Sequence, residues 1–163
     1  MAQSLPSVTV RLVQPRSAQD WREARRLIEE YAAALKVDLC FQNFAHELEH
    51  LADEYGPPAG AFLLAVDNGV NVGCVGLRQL PNGVGEMKRL YAVPAVRGRG
   101  VGRLLAEGIV AAAKELGYAA LVLDTLPFMG EAQALYASLG FKPTTAYRFN
   151  PIAGTAYLEL KLR

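Results

Sequence analysis

The chain has 163 residues, 52% of them apolar, with 17 basic and 16 acidic side chains and a formal net charge of +1. That length and apolar content fit a single domain with its own core and argue against disorder. The near-zero charge gives no electrostatic case for nucleic acid or an anionic membrane surface as partner. No apolar run approaches a membrane span, and Met1–Ser7 lacks the basic-then-apolar pattern of a signal peptide, so a cytoplasmic location is expected. Cys40 and Cys74 lie in apolar surroundings without C-x-x-C spacing and read as two buried thiols.

Residues 1–7 read as a flexible leader and 8–163 as one domain. Val8–Val13 alternates weakly and predicts a first strand. Ser17 is a good N-cap with Asp20 in the first turn, and Trp21, Ala24, Ile28, Tyr31 and Leu35 recur at helical spacing. A second helix is expected from Asn43 to Tyr55, with Phe44, Leu48, Leu51 and Tyr55 on its buried face and Gly56-Pro-Pro ending it. Two apolar runs, Ala61–Val66 and Val70–Leu77, meet at Asp67-Asn68-Gly69, a strong hairpin signal. Pro81-Asn82-Gly83 marks a second turn into a strand over Val84–Val93, completing an antiparallel meander. Val101, Leu104, Leu105, Ile109, Ala112 and Leu116 form one helical stripe closed by Gly117, and Ala119–Asp124 is a wholly apolar strand. Glu86–Asp124 is therefore strand–helix–strand, which implies a parallel pair with a right-handed crossover. A short helix through Ala132, Leu135, Tyr136 and Leu139 follows, then strands at Phe141–Ala146 and Thr155–Leu162. The polar loop Tyr147–Gly154 between them is long enough to be functional.

Between strand and helix runs Arg97-Gly98-Arg99-Gly100-Val101-Gly102-Arg103. Alternating glycines ahead of a helix turn several backbone N–H groups toward one point, where the helix dipole adds positive potential. Three arginines concentrate further positive charge there, so a phosphate-bearing cofactor is expected. A P-loop would need Lys-Ser or Lys-Thr after the glycines, and neither is present. A dinucleotide fingerprint would need glycine at Arg103 and a strand directly before Gly98, which leaves an NAD-binding oxidoreductase as a weaker alternative.

Arg97-x-x-Gly100-x-Gly102, preceded by Leu90-Tyr-Ala-Val-Pro94, resembles the acetyl-CoA signature of the GNAT-type N-acetyltransferases. Downstream, Ala132-Gln-Ala-Leu135-Tyr136-Ala-Ser-Leu139-Gly140-Phe141 is similar to that family's A-x-x-L-Y-x-x-L-G-F segment. Both motifs stand in the family's order, and the resemblance spans residues 8 to 163. It departs at Met129, where many members carry Asn.

The resemblance implies an α/β fold with a mixed, mostly antiparallel twisted sheet and helices on both faces. It implies acetyl transfer from acetyl-CoA to a primary amine by direct attack in a ternary complex, without a metal. Arg97, Gly98, Arg99, Gly100, Val101, Gly102 and Arg103 would hold the pyrophosphate. Tyr91, Ala92 and Val93 would pair with the pantetheine arm, and Ala132 would lie beside it. Tyr136 would stand near the CoA sulfur as general acid, being protonated at neutral pH. Glu86 would be the base, directly or through water; its plain alternative is a strand carboxylate paired with Lys88 or Arg78. The family places the acceptor beside the segments matching Leu35–Tyr55 and Tyr147–Gly154. Glu47, Glu49, Asp53 and Glu54 would suit a cationic amine, whereas Arg148 and Asn150 would suit a carboxylate. A small-molecule or peptide acceptor and a homodimer fit the resemblance. A non-catalytic acyl-CoA-binding module is the non-enzymatic alternative.

His46-Glu47-Leu48-Glu49-His50 formally matches the H-E-x-x-H zinc-peptidase pattern. The chain has only these two histidines, so a third zinc ligand would have to be a carboxylate. The helical wheel also turns both histidines away from the apolar face, toward Glu49 and Asp53. No metal is therefore expected.

Overall fold

A computed structural model describes residues 9–39 and 43–163. One seven-stranded sheet runs β1 (Arg11–Val13), β2 (Ala61–Asp67), β3 (Val70–Leu80), β4 (Val84–Ala92), β5 (Ala120–Thr125), β7 (Ala156–Lys161), β6 (Lys142–Pro143) in spatial order. Every neighbouring pair is antiparallel except β4 and β5. This is the α/β architecture expected. The helices are α1 (Ala18–Leu35), α2 (Phe44–Glu49), α3 (Leu51–Tyr55), α4 (Val101–Glu115) and α5 (Gly130–Ser138). Among the described residues, no helix is long and apolar enough to cross a membrane.

Local chemistry fixes the joints. Ser17 Oγ accepts from the Asp20 N–H at 3.1 Å while the Asp20 carboxylate accepts from the Ser17 N–H at 3.3 Å, a reciprocal cap that starts α1. Asn68 and Gly69 both have positive φ, at 50° and 81°, as a two-residue hairpin loop between twisted strands requires.

The sheet separates two cores. On one face α4 packs Val101, Leu105 and Ile109 against Leu63, Val75, Met87 and Leu121. On the other, Ala24, Leu27 and Ile28 of α1 and Leu51 and Tyr55 of α3 cover Phe62, Leu64, Cys74 and Tyr91. The central strands are buried on both faces, which explains their continuous apolar runs. Cys74 is a buried free thiol, and burial raises its pKa. The expectation for Cys40 falls outside the described residues, as does that for residues 1–8.

The largest departures from the sequence reading are three. The first strand is only Arg11–Val13. The strand expected to reach Ala146 is only Lys142–Pro143, where Pro143 has no N–H to offer a longer ladder. The single helix expected from Asn43 to Tyr55 is two, broken at His50 with φ −128° and ψ 33°.

That break accompanies a buried ion pair absent from the sequence reading. Glu47 is 2% exposed. Its carboxylate accepts two bonds from Arg89, at 2.8 and 2.9 Å, and one from the Tyr55 hydroxyl at 2.9 Å. Burial alone would raise the Glu47 pKa, but the Arg89 bonds and charge hold it below the ordinary value. Removing one member of such a pair strands the other charge, a loss of about 3–5 kcal/mol. Glu47→Gln should therefore lower unfolding free energy in urea by about that amount, and the double variant Glu47→Leu/Arg89→Met should lose less than the single one.

Candidate active site

The site begins where a ladder ends. Strands β4 and β5 pair only at Val84–Ala120, Gly85–Leu121 and Glu86–Val122. Beyond that point β4 continues to Ala92 and β5 to Thr125 without pairing, so the two strands diverge. A divergence in mid-sheet opens a cleft and frees backbone groups along its inner edges.

A bulge shapes the β4 side. Gly76 pairs with Lys88 while Cys74 pairs with Tyr91, so β4 carries one extra residue, and Arg89 takes φ +62°. In a regular strand Lys88 and Arg89 would face opposite sides of the sheet. Here both line one small cavity, together with Tyr31, Leu35, Leu39, Asp124, Met129, Tyr136 and Asn150.

On the outer side of the divergence lies a larger cleft of roughly 820 Å³. Tyr91, Ala92, Arg97, Gly98, Gly100, Val101, Gly102 and Ala132 line it, all expected binding residues. Pro94–Val96 forms a short 3₁₀ turn, and Gly98 and Gly100 then take φ of +81° and +80°. Side chains rarely adopt that conformation, and a Cβ at either glycine would project into open space. The first intrahelical bond of α4 runs from the Leu104 N–H to the Gly100 oxygen at 3.0 Å, so the preceding N–H groups lack partners in the helix. Open space faced by helix-end donors and Arg97 suits a pyrophosphate. The long cleft suits the rest of a CoA-sized ligand. Tyr31, Leu35, Leu90 and Met129 line both the cleft and the small cavity, so the two adjoin.

Four expected cofactor residues stand apart from this cleft. Arg99 pairs with Asp67 at 3.0 Å. Arg103 donates to Ser138 Oγ at 2.7 Å and lies 3.6 Å from Glu107. The Val93 N–H is taken by the Val72 oxygen at 2.9 Å. Tyr136 lines the small cavity instead, its ring 5.8 Å from that of Phe141. Burial raises its phenol above the ordinary value, so it is protonated at neutral pH.

The expected base is also placed differently. Glu86 is 0% exposed and lines neither cavity. It accepts from Arg78 Nε at 2.7 Å, from the Tyr147 hydroxyl at 2.7 Å and from Arg148. Burial would raise its pKa, but Lys88, Arg78, Arg148 and the Tyr147 bond together lower it. A carboxylate saturated by donors and held low is a poor proton acceptor, which weighs against Glu86 as base and toward its alternative as a strand carboxylate paired with Arg78. It fixes Tyr147 and Arg148, and through them the loop beside the cavity.

Sequence reasoning missed Tyr31, Lys88 and Arg89. Tyr31 was hidden in an ordinary amphipathic stripe. The other two carried a signal: three charges, Glu86, Lys88 and Arg89, in a strand buried on both faces need partners or a polar site. The H-E-x-x-H match dissolves in the geometry. The histidine rings stack at 4.1 Å, the His50 Nδ1 contacts the His46 oxygen at 2.8 Å, and Glu47 turns inward to Arg89. Among the described residues no three His, Cys, Asp or Glu side chains are grouped to hold a metal ion.

The site thus combines a mostly antiparallel sheet that diverges at its one parallel pair with a glycine-lined mouth at the start of α4. The chain belongs to the acetyltransferase (GNAT) family, whose model matches residues 21–141. It is an N-acetyltransferase. It is 41% identical over 146 residues to an uncharacterised N-acetyltransferase of Schizosaccharomyces pombe, spanning 88% of this chain and 90% of that one. An uncharacterised N-acetyltransferase of Escherichia coli is 32% identical over 124 residues, 74% of this chain and 73% of its own. A GNAT-family acetyltransferase from Staphylococcus aureus shares the fold with a TM-score of 0.78 at 21% identity, over 95% of this chain and all 100% of that one. The yncA structure from Salmonella typhimurium, solved with its cofactor acetyl-CoA, shares it at 0.66 and 20% identity, over 94% of each chain.

The Glu86 network carries a pH signature. Its folded pKa lies below the ordinary 4.5, so its contribution to stability is fully present above that value and is lost as pH falls through the folded pKa. Urea unfolding followed downward from neutral pH should show wild type losing stability once the ordinary carboxylate pKa is passed. Glu86→Gln should start lower and fall less steeply over the same range.

Proposed function

We propose that acetyl-CoA lies along the divergence between β4 and β5, and that its acetyl group passes directly to a primary amine held in the small cavity. The observation that carries this reading is that the glycine-cradled cleft adjoins, across Tyr31, Leu35, Leu90 and Met129, a cavity lined by Lys88, Asp124 and Tyr136. The pyrophosphate meets Arg97 and the N–H groups of Gly98, Gly100, Val101 and Gly102. The pantetheine arm runs beside Tyr91 and Ala92, with Ala132 and Leu135 of α5 on its other side. Met129, where many family members have Asn, meets the arm with an apolar side chain at the junction of cleft and cavity.

Thioester and amine then meet at that junction, and alignment supplies much of the rate. Asp124 is the carboxylate that lines the cavity, and it is the group we place opposite the acceptor's nitrogen. It receives the proton directly or through water. The amine nitrogen attacks the thioester carbon, the carbon–sulfur bond breaks, and Tyr136 directs its O–H to the departing sulfur. Cys74 takes no part: buried and raised in pKa, its thiol has little thiolate to offer.

Gly100→Ala should barely change unfolding free energy, by about 1 kcal/mol for the left-handed conformation. It should weaken acetyl-CoA binding at least ~10-fold by calorimetry, because the added methyl occupies the cradle. Tyr136→Phe should bind acetyl-CoA as wild type does while kcat for CoA release falls by about 10²- to 10⁴-fold, the range for a lost acid. Tight acetyl-CoA binding without turnover of any amine by wild type would point to a binding module instead.

A further inference from the structure

Acyl transfer makes three demands on the groups around the thioester. A proton must leave the amine, a proton must reach the sulfur, and the charge that develops on the carbonyl oxygen must be met. Asp124 and Tyr136 answer the first two; they line the small cavity but not the cofactor cleft. Tyr31, Leu35, Leu90 and Met129 line both spaces, and of these only Tyr31 has a side chain that donates a hydrogen bond.

The tyrosines sort by what their hydroxyls hold. Of the seven in the chain, Tyr55, Tyr118, Tyr147 and Tyr157 donate to Glu47, the Ala59 oxygen, Glu86 and the Arg148 oxygen. Tyr91 bonds to Glu30. For Tyr31 and Tyr136 no hydrogen-bond partner stands among the described residues. Their rings pack, on Tyr91 at 5.9 Å and on Phe141 at 5.8 Å, and both residues line the cavity.

Tyr31 is placed by the face of α1 that builds the core. Ala24, Leu27 and Ile28 are fully buried, and Tyr31, one turn on from Leu27, packs at the margin of the same cluster. Tyr136 belongs to the core on the other side of the sheet. The two phenols thus come to the site from opposite faces. The Tyr31 hydroxyl is near enough to act on the charge of Tyr136, and Asp124 acts on both. Burial pushes the Tyr31 phenol up to about 12, so it keeps its proton through the neutral range.

Resting on the acetyl-transfer reading, we propose that Tyr31 is a further catalytic residue, whose hydroxyl donates to the carbonyl oxygen of the thioester as that oxygen becomes negative. As the amine nitrogen bonds to the thioester carbon, the carbonyl π pair moves onto oxygen. There the Tyr31 O–H meets it and keeps its own proton. The pair returns as the carbon–sulfur bond breaks, the Tyr136 proton goes to sulfur and the amine proton goes to Asp124. Donors from opposite faces of the sheet reach oxygen and sulfur on different sides of the tetrahedral carbon. The Val93 N–H does not serve in place of Tyr31, since the Val72 oxygen holds it.

Tyr31→Phe isolates the hydroxyl, because it keeps the ring against Tyr91 and breaks no hydrogen bond to a described residue. Its urea midpoint and its acetyl-CoA dissociation constant should match those of wild type. Its kcat, with whichever of putrescine, tyramine, methionine and glutamate wild type acetylates, should fall about 10²- to 10³-fold, the range for one lost oxyanion donor. An unchanged kcat, or a loss confined to acetyl-CoA affinity or to stability, overturns the proposal. A second measurement needs no acceptor. Isotope-edited infrared spectra of bound acetyl-CoA, labelled with carbon-13 at the thioester carbonyl, should show a lower stretching frequency on wild type than on Tyr31→Phe, because a hydrogen bond weakens the carbonyl bond. Equal frequencies overturn the proposal. If wild type acetylates none of the four amines, that counts against the acetyl-transfer reading, and the infrared comparison alone then decides whether Tyr31 meets the thioester oxygen.

Discussion

The parallel ladder between β4 and β5 stops at Glu86–Val122, and the functional architecture depends on that stop. Had the two strands stayed paired to their ends, the backbone of Tyr91 and Ala92 would be spent on the sheet and no cleft would enter the fold. The divergence is held open by packing on both faces: α4 against one, α1 and α3 against the other. The bulge at Arg89 reinforces it by turning two successive cationic residues to the same side. A left-handed arginine in a central strand costs on the order of 1–3 kcal/mol, offset by two bonds to buried Glu47.

Buried charge is the second theme. Glu47 and Glu86 lie on opposite sides of Lys88 in the charge network, each saturated by donors from another element. Glu47 ties α2 to β4, and Glu86 ties β4 to β3 and to the loop before β7. Such pairs contribute little net stability against an apolar replacement, yet breaking one is expensive. Their value here is positional. They fix the segments around the cavity that Lys88 and Asp124 line.

Much of the fold was legible in the sequence because its signals were local. Asn68-Gly69 and Asn82-Gly83 announced their turns, Ser17 and Asp20 their cap, and the apolar run at Ala120–Leu123 its central place. The glycine cradle was equally legible, since Gly98 and Gly100 satisfy a backbone requirement visible in residue type alone. What escaped was non-local. That Glu47 would face inward depends on Arg89, 42 positions away, and on a bulge that no periodicity reveals. That Glu86 would be saturated depends on Tyr147 and Arg148, some 60 positions on. The Arg97–Arg103 segment was read as one basic cluster, but Arg99 and Arg103 find Asp67 and Ser138 first. A sequence shows which charges exist; their pairing belongs to the tertiary structure.

The central claim is that the cofactor occupies the divergence between β4 and β5 with its phosphates at the start of α4. Amide hydrogen exchange with and without acetyl-CoA tests it most directly. Protection should rise at Leu90–Ala92 and at Gly98–Arg103 together, because one ligand covers both segments. Protection confined to another part of the molecule, or at neither segment under saturating acetyl-CoA, would contradict the account.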